Sequence, residues 1–205
     1  MRIGIVGYGS VGSGLGRLFV GAGHQVVVGL REGAACPDGI TSIPFSDLAG
    51  SCDLILLAVP YTAVKDIAPA LAATAIPKLI VDATNPLGDD WSPLDLGSQN
   101  SAGEEIQRLF PRSSVVKAFN TVFADNFTPE RLTVGKQRVT AFLAGNDIES
   151  RDLVAGLARD AGFDPVHAGD ITKARYLEAV AHLNIQLAVA MEHGTDSGIL
   201  HFSRS

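Results

Sequence analysis

Three sets of residues in this chain have the types and spacing that chemistry needs. The first is Gly7-Tyr8-Gly9-Ser10-Val11-Gly12, a G-x-G-x-x-G pattern. In such a turn the first glycine permits a tight bend, the second lets a pyrophosphate approach the backbone, and the third lets a helix pack on its strand. The N–H groups left free at the helix start then face the phosphates, with the helix dipole behind them. The second is Arg31 in "VVVGLRE", 19 residues after Gly12. An acid at this point would accept hydrogen bonds from an adenosine ribose 2′-OH and repel a 2′-phosphate; a guanidinium does the opposite. Arg31 therefore points to NADP rather than NAD, while Glu32, one position on, is the alternative ribose ligand.

The third set lies after the later strands: "AVPYTAV" (58–64), "DATNPLG" (82–88) and "KAFNTVFADNF" (117–127). Ligands of open parallel sheets sit beyond the carboxyl ends of the strands. Ala58, Val59 and Pro60 would bring small residues and a rigid turn against the nicotinamide ribose. Ala83, Thr84 and Asn85 would reach the nicotinamide, and Pro86, Asn120 and Thr121 would face the acceptor.

These sets need an alternating scaffold, and the sequence reads as one. "RIGIVGYG" is a strand, "SVGSGLGRLFVGAG" a helix, "HQVVVGLR" a second strand and "GITSIPF" a short third. "CDLILLAVP" is a fourth strand, "YTAVKDIAPALAAT" a helix that Pro69 bends or splits, and "PKLIVDATNPL" a fifth strand. Residues 88–101 break the rhythm and read as a surface loop. "AGEEIQRLF" is then helical, "SSVVKAFNTV" and "RVTAFLAGND" are strands, "IESRDLVAGLARDAG" is a helix, and "FDPVHAG" is a last strand before a long helix over roughly 171–194. Apolar strands alternating with helices predict an α/β fold: a Rossmann-like, doubly wound, mostly parallel sheet with a small C-terminal helical part. A single domain over 1–205 is expected. Gly14 and Gly16, inside the first helix, read as close packing against the sheet.

Composition narrows the partners. Apolar residues make up 46% of the chain, its formal charge is −6, and its lysines and arginines form no stripe of the kind that nucleic acid binding needs. Cys36 and Cys52 lack metal-ligand spacing and read as reduced, partly buried thiols. The chain opens directly on a strand, and "LILLAVP" is far short of the ~20 residues of a membrane helix. A cytoplasmic protein with a small-molecule partner, and no nucleic acid or membrane, is expected.

At these motifs the sequence resembles a known family: the NADP oxidoreductases that use coenzyme F420, a deazaflavin, with relatives that reduce other acceptors. "GYGSVG", "GHQVVVGLR", "VDATNPL", "VVKAFNT", "FLAGND" and "GFDPVHAGDITKARYLE" are similar, in that order, to segments of its members. The resemblance implies an NADPH-binding domain with F420 as co-substrate, and a C-terminal segment over 168–205 that completes the acceptor cleft and contributes to a homodimer. Several members have serine before the arginine as a second phosphate ligand, whereas this chain has Leu30; Ser10 is a candidate replacement hydroxyl.

Hydride transfer between stacked rings needs the rings ~3–3.5 Å apart more than it needs a catalytic side chain. No catalytic residue and no metal ligand are therefore assigned. If the acceptor were a carbonyl, an acid would be required, and Lys117, Lys173, His182 and Tyr61 are the candidates. Lys117 reads as a solvated charge at a strand end, and His182 as a satisfied packing histidine. The competing readings are a protein that binds NADP(H) without turnover and an NADPH-dependent reductase of a quinone or ferric chelate. The last helix, apolar over most of its surface, suggests a dimer contact.

Overall fold

Residues 1–30, 40–73 and 79–203 are described in the structure, a computed structural model. The first strand, β1 (Arg2–Val6), buries Ile3 through Val6. Small residues then turn the chain into α1 (Ser10–Gly21), which ends before Gly23, a residue at φ 88°. β2 (Gln25–Leu30) returns parallel to β1. The third strand is shorter than the sequence suggests. β3 covers only Ser42–Pro44, because proline has no N–H for the ladder, and an unforeseen helix α2 (Phe45–Ser51) begins at the next residue.

β4 (Leu54–Leu57) and β5 (Leu79–Asp82) are buried along their whole length, with α3 (Tyr61–Leu71) between them. Pro69 lies in the last turn of α3 and does not split it. α4 (Ala102–Leu109) and β6 (Ser114–Lys117) follow the long loop. A small hairpin, β7 (Thr133–Val134) and β8 (Gln137–Arg138), precedes β9 (Thr140–Gly145), α5 (Ile148–Asp160) and β10 (Asp164–Gly169). The expected long last helix is three pieces: a 3₁₀ turn over Ile171–Lys173, α6 (Ala174–Ile185) and a π turn over Gln186–Ala190.

The sheet order is β10-β9-β6-β5-β4-β1-β2-β3. All neighbours are parallel except β6 and β9. This is the mostly parallel, doubly wound sheet expected, closed at one side by two reversed strands, β9 and β10. The order turns back beside β1, so a crevice opens at the strand ends between β1 and β4.

One apolar layer joins Leu15 and Phe19 of α1 to Val154 and Leu157 of α5, with edge-on and tilted ring contacts linking Phe19, Phe119, Phe163 and Phe127. The other layer joins Leu48, Val64, Leu71 and Ile106 from α2, α3 and α4. Each fully buried side chain of this size contributes ~1.5–3 kcal/mol, so both faces fix the strand ends firmly. No helix among the described residues is long and apolar enough to cross a membrane.

Candidate functional site

The glycine turn is built almost wholly from backbone. Gly7 has φ 91°, and a Cβ there would lie 2.4 Å from the Ala58 carbonyl oxygen, so the turn rests directly on the end of β4. A Cβ on Gly12 would come within 1.9 Å of the Gly7 carbonyl oxygen. Gly9 differs: nothing lies within 4 Å of its added Cβ, and it caps α1 with no side-chain hydrogen bond and no acid in the first turn. The first N–H groups of α1 lack intrahelical partners by helix geometry, and they open onto that clear space. The turn thus has the shape of an anion cradle, with glycine required below for packing and above for approach. Gly16 packs against the sheet as expected, on Ile5 of β1, whereas Gly14 packs on Phe127, in the loop beyond β6.

A cavity of about 270 Å³ extends from this turn along the ends of β4, β5 and β6. It collects nine of the residues singled out from sequence: Ser10 and Val11 of the turn, Ala58 and Val59 after β4, Ala83, Thr84 and Asn85 after β5, and Asn120 and Thr121 after β6. Phe119, at φ 64°, reverses the chain beyond β6 and swings Asn120 and Thr121 into the cavity; the sequence instead suggested a strand running through them. Tyr8 turns back over α1 and lines a separate cleft with Arg17 and Val26. Pro60 is exposed as the residue that starts α3, and Pro86 lines an outer cleft beside Arg175 and His182. Arg31, Glu32 and Cys36 lie outside the described residues. Cys52 is free and half-buried.

Two asparagines brace the cavity. Asn85 Nδ2 donates to the Asn120 carbonyl at 2.8 Å, and Asn120 Nδ2 donates to Asn85 Oδ1 at 2.9 Å. This exchange leaves Asn120 Oδ1 buried without a partner, as is Thr84 Oγ1. A buried polar atom left unpaired costs ~1–3 kcal/mol, so these two oxygens mark where the residues lining the cavity have hydrogen-bonding capacity to spare. The third wall was not foreseen residue by residue. Ala181, Asn184 and Ile185 of α6 line the cavity, and Asn184 Nδ2 donates to the Thr121 carbonyl at 3.2 Å.

Beneath the cavity lies a buried ionic cluster. Lys117 is 0% exposed, not solvated as its position at a strand end suggests. Its Nζ sits 2.8 Å from Asp82 Oδ2 and 2.9 Å from Glu178 Oε1. Burial alone would push the Lys117 ammonium toward neutrality, but the two carboxylates outweigh it and hold its pKa above the ordinary value. Asp82 Oδ1 also accepts from Thr84 N, fixing the loop after β5. The Glu178 carboxylate accepts from Ala102 N and Gly103 N, at the positive end of α4. Four segments therefore meet at one ammonium: β5, β6, α4 and α6. A second clip lies outside it, where Arg175 makes a forked contact with Glu104 and lowers that carboxyl. Asp82 and Glu178 were missed in the sequence, although Asp82 and Lys117 end adjacent strands in matching register.

None of the four candidate acids lines the cavity. Tyr61 donates to the Glu105 carboxylate on the far side of α3, and burial with that contact raises its phenol well above the usual range. Lys173 pairs at 3.9 Å with Asp170 on the surface. His182 faces the outer cleft, with its pKa lowered by burial and its Nε2 unpartnered. Among the described residues that line the cavity, none has an ionisable side chain.

Residues 2–86 match the model of the family described as NADP oxidoreductase, coenzyme F420-dependent. A solved structure from Arthrobacter sp. FB24, provisionally named an F420-dependent NADP reductase, superposes with a TM-score of 0.85 at 29% identity over 100% of both chains. Residues 2–86 belong to this family. The F420-dependent NADP reductase of Methanocaldococcus jannaschii is 25% identical over 159 residues, covering 73% of this chain and 68% of its own. Metalloreductase STEAP3 of Rattus norvegicus is 30% identical over 186 residues, covering 87% of this chain and 36% of its own. The chain thus spans about a third of the metalloreductases it matches. The F420-dependent oxidoreductase match takes in the glycine turn and β1 to β5, and stops short of the α6 wall.

Proposed function

We propose that this protein is an NADPH-dependent oxidoreductase that passes a hydride to a planar redox acceptor, coenzyme F420 or a flavin. The observation that carries this reading is the cavity itself: a mostly apolar space, with hydroxyl and amide side chains but no ionisable one in its lining, and with two buried oxygens, on Thr84 and Asn120, left unpartnered. In this assignment the backbone of the turn from Gly7 to Gly12 holds the pyrophosphate, with the Tyr8 side chain in its separate cleft, and Arg31 holds the 2′-phosphate. Ala58, Val59 and Pro60 flank the ribose, and Ala83, Thr84 and Asn85 position the nicotinamide. When bound, the dinucleotide supplies the hydride. Asn120 and Thr121 face the acceptor, with α6 excluding water behind it, while Pro86 begins the loop that leads to the outer cleft. The proton that completes reduction of the ring comes from solvent, as the cavity wall has no acid to give it.

The segment 168–205 completes the acceptor cleft in this reading and forms a homodimer contact through the exposed Leu183, Leu187 and Met191. A sensor that binds NADP(H) without turnover would need no third wall on the nicotinamide side, and Asn184 with Ile185 is such a wall. The test follows NADPH and NADH oxidation with F420, FMN, FAD, a quinone and a ferric chelate; the chelate is included because the matched relatives include proteins named metalloreductases. Turnover with F420 or a flavin, faster from NADPH, supports the reading. Tight NADPH binding with no turnover on any acceptor replaces it with the sensor.

A further inference from the structure

We infer that Trp91 is the outer stacking wall of the acceptor site, and that the acceptor is accordingly a flat, fused aromatic ring rather than a compact ferric chelate. The inference rests on the dinucleotide reading above and adds a residue that neither the glycine motif nor the strand ends indicate. Trp91 is the only tryptophan of the chain. It lines the cavity with Leu87, yet 56% of it is exposed and it belongs to neither apolar core. An indole that contributes so little to packing, at the mouth of an apolar cavity, is placed to cover something that arrives there.

The backbone holds it in that position. Trp91 has φ 65°, a left-handed conformation that a bulky side chain adopts only where its surroundings impose it. Here they do: Gly88 N donates to the Ser92 carbonyl at 2.9 Å, Trp91 N donates to the Gly88 carbonyl at 3.0 Å, and Leu94 N donates to the Pro86 carbonyl at 2.9 Å. Asp90 Oδ1 accepts from Ser92 N and Ser92 Oγ, which holds the Asp90 carboxyl below its ordinary value. The loop that begins at Pro86, beside the nicotinamide residues, thus returns on itself and presents the indole outward.

Position gives the remaining step. In the proposed assignment the nicotinamide lies in this cavity of about 270 Å³, beside Thr84 and Asn85. A ring stacked on its outer face then lies toward the mouth, where Trp91 offers an aromatic face and no charged side chain among the lining residues offers an alternative contact.

The test compares the wild type with Trp91→Phe and Trp91→Ala, using FMN and F420 as planar probes and ferric nitrilotriacetate as the compact one. Circular dichroism confirms folding, and dihydronicotinamide fluorescence gives the NADPH Kd. FMN or F420 should quench the tryptophan emission of the wild type saturably. Trp91→Ala should raise the KM of the planar probe about tenfold, as loss of a stacked aromatic contact implies, with NADPH Kd and the ferric chelate KM within about twofold. Trp91→Phe should restore most of the loss. An unchanged KM for both planar probes, or an equal rise for the chelate, overturns the inference while leaving the NADPH reading intact. A wild type that binds no NADPH overturns that reading by itself, and quenching by the planar probes then still decides whether the indole stacks.

Discussion

The two ends of the candidate site are built on different principles. The proposed phosphate end is six consecutive residues whose shape comes from missing side chains: Gly7 and Gly12 leave no room for a Cβ, and Gly9 leaves open space. The acceptor end is assembled from β5, β6, α4 and α6, fastened through Lys117 to Asp82 and Glu178 and edged by the Asn85–Asn120 exchange. One end is local backbone and the other is long-range side-chain chemistry. The first tolerates change around it and almost none within; the second depends on a charge balance that no single segment contains.

Substitutions can separate the two. The largest effect on stability should come from Lys117→Met, which leaves Asp82 and Glu178 buried without their cation; loss of one partner of a buried pair costs about 3–5 kcal/mol, read by urea denaturation. Adding Glu178→Gln should recover part of it. The same cluster sets a pH dependence. Because folding raises the Lys117 pKa, its contribution is fully present below the unfolded value near 10.5 and is lost only as pH rises through the higher folded one. Wild type should therefore hold its stability margin over Lys117→Met through neutral and mildly alkaline pH and lose it only beyond about 10.5. A margin already lost near pH 8 would mean that Lys117 is not charged in the fold.

Next in size is Gly12→Ala. Its methyl would sit 1.9 Å from the Gly7 carbonyl, so both the melting temperature and NADPH binding should fall, the former by about 5–10 °C. Gly9→Ala should break that link, lowering NADPH affinity about tenfold with the melting temperature unchanged, since its methyl meets no protein atom within 4 Å. Arg31→Ala should cost about tenfold in NADPH affinity and little in NADH affinity, the signature of a lost charged hydrogen bond. Equal weakening of both would turn attention to Glu32 at the ribose. The smallest effect is Thr84→Val: about threefold to tenfold weaker NADPH binding, with stability unchanged because the hydroxyl has no partner in the protein.

The same division decides how much could be read in advance. The parallel sheet and the glycine turn were legible because each depends on residues close together in sequence: β-branched runs for strands, glycine spacing for the turn. Nine of the expected residues meet in one cavity because strand ends of a parallel sheet converge by topology. Lys117 was misread because its charge is balanced by Asp82 across the sheet together with Glu178 far along the chain, and strand-end position alone says nothing of burial. Pro86 and Tyr8 were grouped with the site by adjacency to it, whereas the backbone turns each toward a neighbouring cleft. Trp91 lay in a polar loop whose rhythm indicated only surface, and its placement depends on a left-handed residue that composition does not mark.

The most direct test of where the dinucleotide's reactive end docks uses the single tryptophan at the cavity mouth. NADPH titrated into the wild type should quench Trp91 emission saturably and sensitise dihydronicotinamide emission, with the midpoint shifted to higher concentration in Gly9→Ala and for NADH. NADPH binding that is tight by calorimetry yet produces no energy transfer from Trp91 would place the nicotinamide outside this cavity and contradict the site described here.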